Sequence, residues 1–114
     1  MLTIDALREV CADAQAGLNR CMNNEGFYLR LVNSALEDAS FDRLAAAVEA
    51  DDRNAAFEAA HAIKGVAGNL GLTPLYQAAS EMTELLRAGK DADYPAFLDR
   101  ILRHRESLLA LRDR

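Results

Sequence analysis

The stretch Arg53–Leu70 reads RNAAFEAAHAIKGVAGNL, and its periodicity decides the fold. At about 100° per residue, Ala56, Ala60, Ala67 and Leu70 fall within roughly 60° of Ile63 and form a core-facing stripe. Gly71 follows where a left-handed C-terminal cap is expected. Asp51 and Asp52 precede it, and either can supply the N-cap. The spacing therefore predicts one long helix over 53–70. His61 falls about 160° from Ile63, so it points to solvent from the middle of a packed helix. Gly65 and Gly68 lie close beside it, Asn54 and Glu58 share its face, and Lys64 lies at the edge.

Working outward, Thr73 followed by Pro74 reads as an N-cap and a first-turn proline. That helix runs to Ala88, with Leu75, Ala79, Met82 and Leu86 on one face, and Gly89 closes it. Asp91 or Asp93 opens the last helix, which carries Tyr94, Phe97, Leu98, Ile101, Leu108 and Leu111. Upstream, residues 27–50 form a long helical segment interrupted near Ser40. Leu29, Val32 and Leu36 make one apolar stripe there, and Phe41, Leu44 and Val48 continue it. Asn23, Asn24 and Gly26 read as a break, with room for a second short helix before it. Thr3 caps a first helix over Ile4–Val10. Four long helices with short connections predict an all-α, up-and-down antiparallel four-helix bundle. A short extra N-terminal helix covers one end. The expected organisation is a single domain over 1–114, with the N-terminal helical segment at 1–24 and the bundle at about 27–112.

Composition supports this class. The 114 residues include 22 Ala and 17 Leu, against only 10 Val, Ile and Thr together, so helix propensity dominates. A net charge of −5 speaks against nucleic acid as a partner. No apolar run approaches the roughly 20 residues of a membrane span, so no membrane association is expected. Cys11 and Cys21 do not make a disulfide framework. A reducing, cytoplasmic location fits, and no secretory signal is visible.

The two glycines beside His61 are the unusual feature. Each costs about 0.8–1.0 kcal/mol in a helix interior relative to Ala. This chain uses Ala freely, so glycine there points to close approach by another surface. Lys64, three residues after His61, can place a positive charge on an anion bound at the imidazole. Accessible imidazole, adjacent ammonium and bare backbone together suggest a reversible phosphoryl acceptor. Phe57, one turn before His61 and about 120° from the core centre, reads equally as a docking contact or as packing on an adjacent helix.

From His61 to Gly71 the chain resembles the signature of histidine-containing phosphotransfer (HPt) domains: His-x-(Leu/Ile)-Lys-Gly-(small or apolar)-(Ala/Ser)-x-x-(Leu/Ile)-Gly. His61, Ile63, Lys64, Gly65, Ala67, Leu70 and Gly71 match. The acidic turn, Ala59 with Ala60, Gly17 with Leu18, and Phe27 with Tyr28 are also family-like, so the resemblance spans about residues 13–112. It implies a four-helix bundle and a phosphocarrier without kinase activity of its own, working in a multistep His–Asp phosphorelay of two-component signal transduction. His61 would take a phosphoryl group from a receiver-domain aspartate and pass it to another. Lys64 would neutralise phosphate charge, and Gly65 and Gly68 would let the receiver close over the imidazole; Gly68 also reads as a packing glycine for a neighbouring helix. Response-regulator receiver domains and a hybrid histidine kinase are the implied partners. No cofactor is expected on this chain, the divalent metal belonging to the receiver. Many relatives carry Gln or Glu on the next helix, near Thr83, that hydrogen-bonds the far imidazole nitrogen. Here a buried water, Thr83 itself or Glu84 are the substitutes. Because the domain fills a chain beginning at Met1, a free-standing protein is expected, and a monomer is the simplest expectation for a shuttle.

Other residues read more plainly. His104 is a partly buried structural histidine flanking the last helix's apolar stripe, and both cysteines are small apolar core residues. Met22 and Met82 read as core or core edge. Arg100, Arg103, Arg105, Arg112 and Arg114 make the last helix basic, matching its dipole and a solvated face. Two rivals stand beside the phosphocarrier. One is a docking module that binds receiver or kinase domains without carrying phosphate. The other is a metal or redox bundle using His61, His104, Cys11 and Cys21, which lie on different predicted faces.

Overall fold

The computed structural model describes residues 1–113. In chain order the helices are α1 (Ile4–Val10), α2 (Ala14–Arg20), α3 (Glu25–Leu36), α4 (Ser40–Glu49), α5 (Arg53–Leu70), α6 (Thr73–Arg87) and α7 (Tyr94–Ala110), with a final 3₁₀ turn at Leu111–Asp113. The described residues contain no strand. Helices α4, α5, α6 and α7 pack in a closed cycle, α4 on α5, α5 on α6, α6 on α7 and α7 on α4, while α3 lies against α5 and α7. The architecture is the antiparallel bundle that the short connections predict.

The core is aliphatic and alanine-rich. Leu36, Leu44, Leu72, Met82 and Ile101 are fully buried, each of which contributes about 1.5–3 kcal/mol by leaving water. Between α5 and α6, Ala56, Ala60, Ala67, Ala78 and Ala79 are buried.

Helix boundaries follow side-chain chemistry. Thr3 Oγ1 accepts from Ala6 N at 3.2 Å, Asp52 Oδ1 from Ala55 N at 3.1 Å, and Asp93 Oδ1 from Ala96 N at 3.1 Å. Asp51 is no cap; it takes a left-handed conformation in the turn (φ 52°). Thr73 is not the N-cap of α6 either. It is the first helical residue, and its hydroxyl accepts from Asp13 N at 3.1 Å. Gly26 lies inside α3, because Asn24 caps that helix by accepting from Phe27 N at 3.0 Å.

The break between α3 and α4 falls over 37–39, immediately before Ser40. Asp38 Oδ1 accepts from Ser40 N at 2.8 Å and from Ser40 Oγ at 2.5 Å, a local alternative to helical bonding. Those two bonds hold the Asp38 carboxyl below its ordinary range. From α7, Arg105 Nε donates to Leu36 O at 2.6 Å, and its guanidinium lies 4.9 Å from the Phe41 ring centroid. Arg112 Nη1 reaches Glu37 Oε1 at 2.8 Å. The expected solvated basic face of the last helix is thus partly tertiary: Arg105 and Arg112 clamp this break, and Arg100 pairs with Glu81 at 2.6 Å. Arg114 lies outside the described residues.

The N-terminal segment meets α5 at its C-terminal end. Helices end with carbonyls that lack an intrahelical partner. Here Leu72 N donates to Ala67 O at 2.9 Å, and Gly71, left-handed at φ 70°, donates to Gly68 O at 3.3 Å. Arg20 Nη1 donates to Gly68 O at 3.1 Å and to Asn69 O at 2.8 Å. Tyr28 Oη donates to Leu70 O at 2.6 Å in a fully buried setting. The end of the histidine-bearing helix is therefore fixed by side chains from α2 and α3.

Met22 is a correction to the core list. It is 84% exposed and left-handed (φ 58°), because α2 ends at Arg20 and the chain must reverse before α3. Met82 is fully buried.

Candidate functional site

His61 sits exposed in the middle of α5, flanked on the core side by buried Ala60 and Ile63. Phe57 lies four residues earlier, so the two rings are neighbours on the helix surface. They stack, with centroids 5.6 Å apart and planes 10° from parallel. From α6, the Arg87 guanidinium lies 5.2 Å from the Phe57 ring centroid. Arg87 Nε is 3.5 Å from Glu84 Oε1, and the same oxygen is 3.4 Å from Lys64 Nζ. His61, Phe57, Arg87, Glu84 and Lys64 thus form a chain of contacts that leaves α5, crosses to α6 and returns one turn beyond the histidine.

The Lys64–Glu84 pair is half-exposed, and such pairs contribute about 0–1 kcal/mol. Lys64 and His61 line the same cleft, and a pair this weak does not commit the ammonium firmly. An anion at this face can compete for Lys64 on electrostatic grounds.

Gly65 lies on the open face: a Cβ there would meet no atom within 4 Å. Gly68 differs from the expectation of an open approach. A Cβ there would lie 3.0 Å from the Tyr76 ring of α6, so this glycine accommodates a neighbouring side chain of the same molecule. His61, Lys64, Gly65, Gly68, Tyr76 and Arg20 line a shallow cleft of about 470 Å³. Within this lining, Arg20 is committed to the α5 carbonyls.

Neither expected imidazole partner reaches the ring. Thr83 is fully buried, and its hydroxyl donates to Ala79 O at 2.7 Å, one turn back on its own helix. Glu84 is on the correct helix, but its carboxylate faces Lys64 and Arg87. His104 is half-buried on α7. Cys11 and Cys21 are free and buried, and burial raises the Cys11 thiol above its ordinary value, away from reactivity. Among the described residues, no group of three or more His, Cys, Asp or Glu side chains could hold a metal ion. No described helix is long and apolar enough to cross a membrane.

The Phe57–His61 neighbourhood is legible as an i, i+4 pair. Arg87 and Tyr76 are not, because their place at the site depends on how α6 docks against α5.

No curated protein and no solved structure matches the chain. A family model does, that of the Hpt domain, over residues 30–114. With the motif histidine exposed on a bundle helix and the match covering most of the sequence, the chain belongs to the Hpt domain family.

Proposed function

We propose that this protein is a histidine phosphocarrier in a multistep His–Asp phosphorelay, with His61 as the residue that accepts and returns the phosphoryl group. Hpt domains act generally in histidine phosphotransfer, alongside receiver domains and kinases, and are carriers, generally not enzymes. The observation that carries the reading for this chain is the exposed imidazole of His61 at the motif position, mid-helix.

In the forward step, an imidazole nitrogen of His61 forms the N–P bond as the P–O bond of a receiver's aspartyl phosphate breaks. The aspartate leaves as a carboxylate, and the second ring nitrogen releases its proton to solvent. Lys64 offsets phosphate charge, and Gly65 lets the receiver's loops reach the imidazole. The divalent metal belongs to the receiver. Docking is transient and small in area, as suits a shuttle that must bind two partners in turn.

The test is intact-mass analysis after incubation with phosphorylated receiver domains and magnesium. Wild type gains one acid-labile phosphoryl group, and His61→Gln gains none while keeping its helicity. Phosphorylation of the mutant would sink the assignment. The alternative is a docking module without phosphate, and it draws on the lack of a side-chain hydrogen bond to the ring. It requires equal receiver binding by wild type and His61→Gln, with no phosphoryl gain in either. Within the carrier reading, Lys64→Ala slows transfer by about tenfold, the scale of one charge-assisted contact of ~1.5 kcal/mol. A wild-type rate in Lys64→Ala would refute its charge role.

A further inference from the structure

We propose that Phe57 is a positioning residue for His61, orienting the imidazole by aromatic stacking where no side chain hydrogen-bonds the ring. The proposal rests on the phosphocarrier reading above. Its first support is geometric: a 5.6 Å centroid separation and a 10° interplanar angle describe an offset parallel pair, a favoured arrangement for aromatic rings. The second is the anchoring of Phe57. Its ring is half-buried against the core and lies under the Arg87 guanidinium, which Glu84 contacts in turn. The platform is held from α6 as well as by its own helix.

The third support is what else surrounds the histidine. Among the described residues, the stack is the one ring contact His61 makes, and no side chain hydrogen-bonds or ion-pairs with it. The Thr83 hydroxyl is spent on Ala79 O, and the Glu84 carboxylate on Lys64 and Arg87. An exposed imidazole with two rotatable bonds would otherwise sample several rotamers, and only some direct a nitrogen at an incoming phosphorus. Stacking engages a ring face and leaves both nitrogens available. One forms the N–P bond while the acyl-phosphate P–O bond breaks and the receiver's carboxylate departs. The other releases its proton to water. A hydrogen-bonding partner would instead fix the tautomer at the far nitrogen, so the stack orients the ring without setting which nitrogen carries the proton.

A docking role for Phe57 gives a different kinetic signature, so one experiment separates the two. The variants are Phe57→Leu, which keeps an apolar side chain without a ring, and Phe57→Tyr, which keeps the ring. Folding of both is checked by circular dichroism. The His61 ring-proton resonances are recorded by NMR. Single-turnover transfer is measured, as a function of receiver concentration, from whichever member of a panel of phosphorylated receivers loads the wild type fastest. In Phe57→Leu the ring-current shift of His61 disappears, and the saturating transfer rate falls roughly two- to tenfold, the scale of one aromatic pair. The half-saturating concentration is unchanged, and Phe57→Tyr restores both shift and rate. Unmoved His61 resonances in Phe57→Leu overturn the proposal, as does an unchanged saturating rate. A rise confined to the half-saturating concentration overturns it in favour of a docking contact and leaves the carrier reading standing. A wild type that takes no phosphoryl group from any receiver overturns the carrier reading and this proposal together, even if the ring-current shift is present.

Discussion

Gly65 and Gly17 stand at opposite extremes of the same helix's surroundings. A Cβ on Gly65 would meet nothing, whereas a Cβ on Gly17 would overlap the Leu70 carbonyl and press on the Tyr28 ring. The face around His61 is open, joined by half-exposed charges and ring contacts. The C-terminal end of α5 is closed: α2 lies against it, Gly71 meets the Asp13 backbone, and the last carbonyls are taken by Arg20 and Tyr28. One end of the helix is tied to its neighbours by close packing and hydrogen bonds, while its middle presents an exposed side chain. Glycine serves both regions for different reasons, space for another molecule in one and backbone contact within this molecule in the other.

The sharpest break in this contrast is Gly17→Ala. The added methyl meets backbone, which yields little, and overpacking of this kind costs about 1–3 kcal/mol or more. A chemical denaturation curve should show a lowered midpoint and, for a chain of this size, a melting temperature lower by several degrees. Stability equal to wild type would mean that α2 does not press on α5 as described.

Tyr28→Phe tests the same latch more gently. It removes the donor to Leu70 O and leaves a buried carbonyl unpaired, at about 1–3 kcal/mol. The pH dependence has a definite sign. Burial, aided by the nearby Cys11 and Cys21 thiols, pushes the Tyr28 phenol from its ordinary value of 10 up to about 12. Its contribution is therefore complete below pH 10 and is lost as pH rises from 10 toward 12, where the unfolded chain ionises first. Denaturation midpoints of the wild type should fall over that window more steeply than those of Tyr28→Phe. Parallel curves would remove Tyr28 from the latch.

Gly65→Ala sharpens the contrast from the open side, with the smallest effect on stability and the opposite sign. The methyl has room, so the helix gains about 0.8–1.0 kcal/mol of propensity. Transfer from a receiver should nevertheless slow, because the methyl stands on the face the receiver approaches. A variant that is more stable and equally fast would show that the bare backbone beside His61 has no functional purpose.

Much of this was legible from residue order. The bounds of α5 and α1, the cap at Gly71 and the outward direction of His61 follow from a 3.6-residue period and from local capping. The break expected near Ser40 falls over 37–39, where Asp38 accepts from Ser40 two residues on, a local bond that competes with the helix. Met22 departs from the core expectation because an apolar side chain in a left-handed turn carries no periodic signal. The Thr73 hydroxyl departs from a capping role because its partner, Asp13, is 60 residues away.

The site divides along the same line. The sequence alone determined that one helix would carry an exposed histidine with a lysine and a glycine beside it, since positions on a single helix are fixed by its pitch. Only the tertiary structure decided that Tyr76 abuts Gly68, that Thr83 turns inward to Ala79, and that Glu84 and Arg87 meet Lys64 and Phe57. Those contacts depend on the rotation and depth at which α6 docks on α5. That docking is set by packing along the whole interface, which no local stretch of sequence encodes.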